Sequence, residues 1–226
     1  MEQYDYWQKF DPASALTTAP YKTNFPAQLP DGRILCLPIR ALAGTKNGIA
    51  SLILNQSSFE VEAVLADFLA GLLKPSKPDV IVGMPTLGLS LARLVAMRLG
   101  QTRYIALGTS RKFWYDDALS VPVSSITSPN TSKRLYADPR MLPLLTNRRV
   151  CLIDDVISSG SSILAALELL TKISVQPVSI GAAMLQTQRW MAKLSENYQT
   201  PANPICAPLV TPLLEVSDFG WNNSKG

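Results

Sequence analysis

The stretch Val150-Cys-Leu-Ile-Asp154-Asp155-Val-Ile-Ser158-Ser159-Gly160-Ser161-Ser162 says more about the fold than any other part of the chain. Its apolar start predicts a buried strand over 149–154, and two adjacent acids follow. A loop of small hydroxyl residues comes next, and residues 163–172 have the apolar spacing of a helix. We therefore expect both carboxylates at the C-terminal end of a parallel strand, the edge where open parallel sheets bind their ligands.

The loop after the acids has the composition of a phosphate-binding loop. Its backbone N–H groups and the positive end of the following helix dipole can hold a phosphate monoester without any Lys or Arg. Gly160 permits close backbone approach, and hydroxyl donors come from Ser158, Ser159, Ser161 and Ser162. The competing interpretation is an ordinary strand-to-helix turn in which Ser caps the helix.

Asp154 and Asp155 need partners other than a phosphate, because carboxylates repel it. Sugar hydroxyls and hydrated Mg²⁺ supply such partners. We therefore predict a ribose 5-phosphate site in which the two acids bind the ring hydroxyls and the loop binds the phosphate.

The same order of elements occurs earlier in the chain. Residues 79–83 predict a buried strand, MPTLG (84–88) a tight loop, and about 89–99 a helix. Further strands are predicted over 103–108 and 175–185. The alternation implies an α/β fold, a parallel central sheet flanked by helices with right-handed crossovers.

The flanking segments carry weaker signals. Residues 33–39 and 49–54 predict a strand pair, and Ser57 or Ser58 is expected to cap an amphipathic helix. We expect an irregular arm over 1–30 and a long functional loop over 109–148.

Composition removes several classes of function. The chain has 226 residues and no His, which excludes the Ser-His-Asp triad and His-containing zinc sites. Its 21 basic and 17 acidic residues give a net charge of +4 without a basic run, so nucleic-acid binding is a weak expectation. The best apolar stretch, 61–73, contains two acids and is too short to span a membrane. No membrane partner is expected.

Cysteine usage and the first residues bear on the compartment. Cys36, Cys151 and Cys206 form no CxxC pair, which favours a reducing environment. The first residues, MEQYDYWQKF, lack the basic and then apolar order of a signal peptide. We expect a soluble, cytoplasmic protein.

VCLIDDVISSGSS resembles the phosphoribosyl pyrophosphate (PRPP) motif of type I phosphoribosyltransferases. In that family an apolar strand, two acids and two apolar residues precede a Ser/Thr/Gly loop. The resemblance extends over about 79–185, with MPTLG at the place of the pyrophosphate loop and 109–148 at that of a flexible catalytic loop. It implies one domain over 1–226, with a core of about 55–185 and a small hood from about 33–54 and 186–226.

The resemblance implies a pentosyltransferase that moves 5-phosphoribosyl from PRPP to a nucleobase, with Mg²⁺ neutralising the departing pyrophosphate. Asp154 and Asp155 would then reach the metal through water. Arg111 and Lys112 would approach the pyrophosphate on loop closure, with Lys133 and Arg134 as alternatives. A homodimer is also expected. The residues that would bind pyrophosphate are Pro85, Thr86, Leu87 and Gly88.

The sequence does not identify the nucleobase. Ser158 stands where oxopurine enzymes of the family carry an acid, and MPTLG lacks the charged residues associated with adenine enzymes. The run SPNTSKRLYADPRMLP (128–143) favours the purine-associated branch. Trp190, Phe219 and Trp221 are candidates for base stacking, although packing is the stronger interpretation. The alternative functions are a PRPP-binding regulator without transfer activity and a nucleic-acid-binding accessory protein.

Overall fold

A parallel sheet of six strands forms the centre of the protein. The structure, a computed structural model, describes residues 3–123, 133–197 and 204–224. The strand order is β10-β9-β8-β4-β5, and β11 also pairs with β9. The strands of this sheet are β4 (Val80–Gly83), β5 (Ile105–Ala106), β8 (Val150–Ile157), β9 (Ser179–Gln186), β10 (Ile205–Cys206) and β11 (Leu209–Thr211).

Helices cover both faces of this sheet. Successive residues of β4 enter opposite hydrophobic clusters, Ile81 on one face and Val82 on the other, as the alternation of a strand requires. The first cluster includes α1 and α2, and the second includes α3 and Leu194 of α4. The helices are α1 (Phe59–Leu73), α2 (Gly88–Arg98), α3 (Ser161–Lys172) and α4 (Arg189–Asn197).

An antiparallel sheet of five strands, which we call the hood sheet, lies beside the parallel one. Its order is β1-β2-β3-β12-β13, so the predicted strand pair is confirmed as β2 and β3. The buried amide of Gln186, at the end of β9, donates a hydrogen bond of 2.7 Å to the carbonyl of Ala50 in β3. The strands are β1 (Asn24–Gln28), β2 (Ile34–Ala41), β3 (Asn47–Ala50), β12 (Leu213–Ser217) and β13 (Gly220–Asn223).

The residues expected to form the hood lie in two places. Those of β2, β3, β12 and β13 belong to the hood sheet, whereas β10 and β11 pair in parallel with β9. The predicted α/β fold with a parallel central sheet, flanking helices and a small hood is confirmed. The helix capped by Ser58 is also confirmed, because the Ser58 hydroxyl accepts a hydrogen bond of 3.2 Å from the Val61 N–H.

Three local structural expectations were wrong, while the functional role expected of the 109–148 stretch stays a prediction. The arm over 1–30 contains β1, an edge strand whose Phe25 and Ala27 alternate inward. The stretch over 109–148 contains a hairpin of β6 (Ser120–Val123) and β7 (Lys133–Tyr136), which packs on α3. The strand after Arg149 continues past the acids to Ile157, because Val156 and Ile157 still pair with β9. Residues 124–132, part of the expected loop and of the run at 128–143, lie outside the described residues.

In the part of the chain that the structure describes, no helix has the length and apolar character needed to cross a membrane.

Candidate active site

The loop after β4 and the acid pair of β8 lie together at the C-terminal edge of the parallel sheet. Strand β4 ends at Gly83, which pairs with Ile153 of β8, and the Met84 N–H donates a hydrogen bond of 2.8 Å to the Ile153 carbonyl. The next residue of β8 is Asp154. The MPTLG loop therefore begins beside the acid pair, at the edge where parallel sheets bind ligands.

Gly88 brings the start of α2 against the acid pair. A Cβ atom at Gly88 would lie 2.8 Å from the Cα of Asp154 and 3.0 Å from its Oδ1. Only a residue without a side chain allows this approach. Pro85 and Leu87 in the same loop are half-buried and Thr86 is exposed, and the Pro85–Thr86 peptide bond is cis.

The two aspartates lie in an environment that disfavours their charge. Asp154 is 7% exposed, and its Oδ1 accepts a hydrogen bond of 2.9 Å from the Asp155 N–H. Burial raises the pKa of Asp154 well above its ordinary value, and the neighbouring charge of Asp155 raises it further. Burial also raises the pKa of Asp155. A cation or a set of hydroxyl donors would relieve this penalty.

The acid pair can be compared with the sites at which proteins bind Mg²⁺. Within the described ranges there is no group of three or more His, Cys, Asp or Glu side chains that could enclose a metal ion. Mg²⁺ commonly keeps several waters and is bound by one or two carboxylates together with substrate phosphates. Such a site needs no enclosing group of protein ligands, so the pair of Asp154 and Asp155 is compatible with it.

The loop 158–160 leads into a helix whose start has no side-chain cap. Gly160 precedes α3 in the left-handed region, with a φ of +77°, and no side chain caps the helix. The hydroxyls of Ser159 and Ser161 are 3.1 Å apart, and Ser162 is exposed. Helix α2 likewise starts without a side-chain cap, in contrast to α1 and its Ser58. One weak serine contact remains at α3, because the Ser161 N–H lies 3.5 Å from Ser159 Oγ. The other N–H groups in the first turns of α2 and α3 have no side-chain partner among the described residues and are available for an anion.

Sequence reasoning missed a second helix at this loop. Helix α4 places Arg189 and Lys193 beside the serine hydroxyls of this loop. Arg189 Nη2 is 3.3 Å from Ser158 Oγ, and Lys193 Nζ is 2.6 Å from Ser161 Oγ. The loop itself contains no Lys or Arg, but two cations from a neighbouring helix contact its hydroxyls. The sequence signal that could have indicated these two residues is their spacing, because residues four positions apart lie on the same face of a helix.

Two of the four basic residues expected from the 109–148 stretch, Arg111 and Arg134, have side-chain partners within that stretch. Arg111 Nε is 2.7 Å from Asp117 Oδ1, and this carboxylate raises the pKa of Arg111. Arg134 donates hydrogen bonds of 3.0 and 2.7 Å to Ser120 Oγ. Lys112 and Lys133 are exposed. Among the described residues, none of these four side chains forms a hydrogen bond or ion pair with either loop.

The candidate stacking aromatics differ in their surroundings. The indole N–H of Trp190 donates a hydrogen bond of 3.1 Å to the Thr187 carbonyl, so this ring is fixed beside the end of β9. Trp221 packs against Gly48 of β3, where a Cβ would lie 2.5 Å from its ring. Phe219 is 74% exposed at the turn between β12 and β13.

Gly160→Ala is expected to weaken binding of a phosphorylated ligand about tenfold and to lower the free energy of unfolding by about 1–2 kcal/mol, because a non-glycine residue in the left-handed region is strained. The added Cβ would also lie 3.3 Å from the Trp190 Cβ. Titration with ribose 5-phosphate and urea denaturation measure the two effects. Gly160→Ala with wild-type affinity and stability would show that the bend tolerates a side chain.

Comparison with known proteins identifies the family to which this chain belongs. The model of the family described as "Phosphoribosyl transferase domain" matches residues 53–211. The chain belongs to the phosphoribosyltransferase family, a family of pentosyltransferase enzymes. A search of curated proteins finds no match.

Solved structures with a similar fold include adenine phosphoribosyltransferases. The enzyme from Giardia lamblia, complexed with 9-deazaadenine, gives a TM-score of 0.53 at 18% identity, over 70% of this chain and 92% of that one. The enzyme from Thermoanaerobacter pseudethanolicus gives 0.52 at 18% identity, over 65% and 79%. The enzyme from Trypanosoma brucei, in complex with AMP, pyrophosphate and ribose-5-phosphate, gives 0.52 at 19% identity, over 67% and 64%. The predicted type I phosphoribosyltransferase fold is confirmed.

Proposed function

We propose that the protein transfers 5-phosphoribosyl from PRPP to a ring nitrogen of a purine-like base, with Mg²⁺ and with release of pyrophosphate. The observation that carries the proposal is a buried acid pair between two uncapped helix starts at one sheet edge. PRPP has matching chemistry, because its ribose hydroxyls lie between a phosphate and a diphosphate. The Trypanosoma brucei neighbour holds AMP, pyrophosphate and ribose-5-phosphate, which supports this ligand class.

Each group of residues has a distinct role in this proposal. The N–H groups and hydroxyls of Ser158 to Ser162 bind the 5-phosphate. In the loop from Pro85 to Gly88, the pyrophosphate is bound by the N–H groups of the three residues after the proline and by the Thr86 hydroxyl. Asp154 and Asp155 accept hydrogen bonds from the ring hydroxyls. Fixing both phosphoryl ends holds the anomeric carbon in one place between them.

Charge development during transfer gives the acid pair a further role. The anomeric carbon gains positive character as its bond to pyrophosphate breaks. Carboxylates held near the ring stabilise that charge without reorganising. Mg²⁺, when bound, neutralises charge on the departing pyrophosphate.

Arg111 and Lys112 are proposed to bind the pyrophosphate after the loop closes. In the described conformation Arg111 pairs with Asp117, so closure must exchange that carboxylate for the ligand. Closing loops that exclude water from the reacting centre are common in enzymes.

The base, the compartment and the assembly are also parts of the proposal. Ser158 in place of an acid disfavours an oxopurine base, and the similar solved structures are adenine enzymes. The three cysteines are free thiols, which suits a cytoplasmic protein. A homodimer is proposed, and sedimentation velocity would test it.

The test is release of pyrophosphate. We expect release when the protein is mixed with PRPP, Mg²⁺ and one purine-like base, with adenine as the first choice, and none when any component is omitted. PRPP binding without release for every base of a panel would instead indicate the regulator. Absence of PRPP binding by the folded protein would reject both functions.

A further inference from the structure

We propose that Arg189 and Lys193 of α4 are direct ligands of the 5-phosphate and make the subsite selective for a phosphate dianion. The inference rests on the proposed function, since it concerns the phosphate end of the same site. The two residues would supply positive charge beside a loop whose own residues are all neutral.

The two cations already contact the groups that would surround the phosphate. Lys193 Nζ lies 2.6 Å from Ser161 Oγ, and Arg189 Nη2 lies 3.3 Å from Ser158 Oγ. These serines stand on either side of Ser159 and Gly160. An anion bound by the loop hydroxyls would therefore have one cation at each end.

The position of α4 is fixed by packing rather than by these polar contacts alone. A Cβ at Gly160 would lie 3.3 Å from Trp190 Cβ and 3.4 Å from Leu194 Cγ, so both residues are seated on the loop backbone. Leu194 is 1% exposed within the second hydrophobic cluster. Trp190 and Leu194 each follow one of the cations by one residue, so the apolar contact and the cationic contact come from adjacent stripes of one helix.

Lys193 is expected to contribute more to phosphate binding than Arg189. Lys193 is half-buried and Arg189 is exposed, so solvent and salt screen Lys193 less. Hydrogen bonds to charged groups are roughly twice as strong as neutral ones. The attraction between each cation and the ligand increases with the negative charge of the ligand. The two cations therefore favour a dianionic phosphomonoester over an unphosphorylated sugar.

The experiment is isothermal titration of the full chain with ribose 5-phosphate, ribose, inorganic phosphate and PRPP at low and high salt. We expect Lys193→Gln to weaken ribose 5-phosphate binding about tenfold and Arg189→Gln by less, as expected for loss of one charge-assisted contact. The salt dependence should also become shallower in Lys193→Gln.

Two further variants separate charge at this place from folding and from net charge. Lys193→Arg keeps the cation and should restore most of the affinity. Arg148→Gln removes one exposed cation at the opposite, N-terminal end of β8 and should bind ribose 5-phosphate as the wild type does. Thermal unfolding confirms that each variant is folded.

The outcomes separate this inference from the function on which it rests. Wild-type affinity for ribose 5-phosphate in the Lys193→Gln Arg189→Gln double variant would overturn the inference, while wild-type binding of PRPP would leave the proposed function standing. Phosphate binding that depends on Lys193, without binding of PRPP, would overturn the proposed function alone. A Lys193→Arg variant as weak as Lys193→Gln would assign Lys193 a packing role and reject the ligand role.

Discussion

Asp154→Asn is expected to lower the rate of pyrophosphate release on the order of 100-fold while leaving the ligand-free protein at least as stable as the wild type. The amide keeps the shape of the side chain but loses the negative charge that the ribose hydroxyls and the developing cation require. Loss of turnover without loss of stability separates a functional acid from a structural one.

The stability half of this prediction follows from the direction of the pKa shift. Burial and the charge of Asp155 raise the pKa of Asp154 well above the ordinary 3.8. The folded protein therefore retains a proton that the unfolded chain has released, and the free energy of unfolding falls as pH rises from about 3.8 through the raised pKa. Asn does not titrate, so this fall should be smaller in the variant.

Pyrophosphate release and thermal unfolding across that pH range measure the two halves. Asp67→Asn is the matched control, because it makes the same change at an exposed acid paired with Arg98 and should retain activity. Wild-type turnover in Asp154→Asn would remove Asp154 from the ribose site. A lower midpoint of unfolding than wild type at neutral pH would contradict the burial penalty.

Gly88→Ala is expected to reduce kcat/KM for PRPP on the order of 100-fold, since a misplacement of about 1 Å in an active site has effects of that size. The added Cβ would lie 2.8 Å from the backbone Cα of Asp154. A side-chain rotation cannot relieve a clash with backbone, so α2 and the pyrophosphate loop must move away from the acid pair. We expect a stability loss of about 1–3 kcal/mol from the same overpacking.

Gly71→Ala provides the control for this variant. A Cβ at Gly71 meets nothing within 4 Å, and the residue lies inside α1. This substitution should stabilise the protein by about 0.5–1 kcal/mol and leave activity unchanged. Steady-state pyrophosphate release and urea denaturation measure both variants. Activity of Gly88→Ala equal to that of Gly71→Ala would show that the close approach has no catalytic importance.

The parallel core was predictable because its signals are local. Apolar runs such as 79–83 and 149–154 are typical of buried parallel strands, and the observed β4 and β8 include most of both. The hood sheet was only partly predictable. Strand β1 contains Pro26, which weakens any strand pattern, and its pairing with β2 is a tertiary contact.

Two other elements were missed for related reasons. The strands of the β6–β7 hairpin are only four residues long and mix polar with apolar residues. Val121 and Leu135 are buried in the cluster that contains α3, and Val123 packs against that cluster. Strands β10 and β11 are only two and three residues long in a proline-rich segment, and they exist because β9 offers an edge for parallel pairing. Long-range pairing of this kind leaves little trace in local periodicity.

The site was predictable where chemistry and chain order coincide. The acid pair lies in the last half of β8 and the two loops follow β4 and β8, so their shared edge could be inferred. Arg189 and Lys193 could not be placed, because α4 starts three residues after β9 ends and only the fold turns it back onto the loop after β8. The partner of Arg111 was equally hidden, since Asp117 is one of several acids near it in sequence.

The pairing of Arg111 with Asp117 has a consequence for how the enzyme samples its conformations. The two side chains are 51% and 72% exposed, and ion pairs this open to solvent are weak and screened by dissolved ions. Detaching the guanidinium therefore requires little work, and thermal motion alone should release it repeatedly between ligand encounters. A multiply charged anion that arrives nearby would bind a guanidinium group that is already unpaired for part of the time.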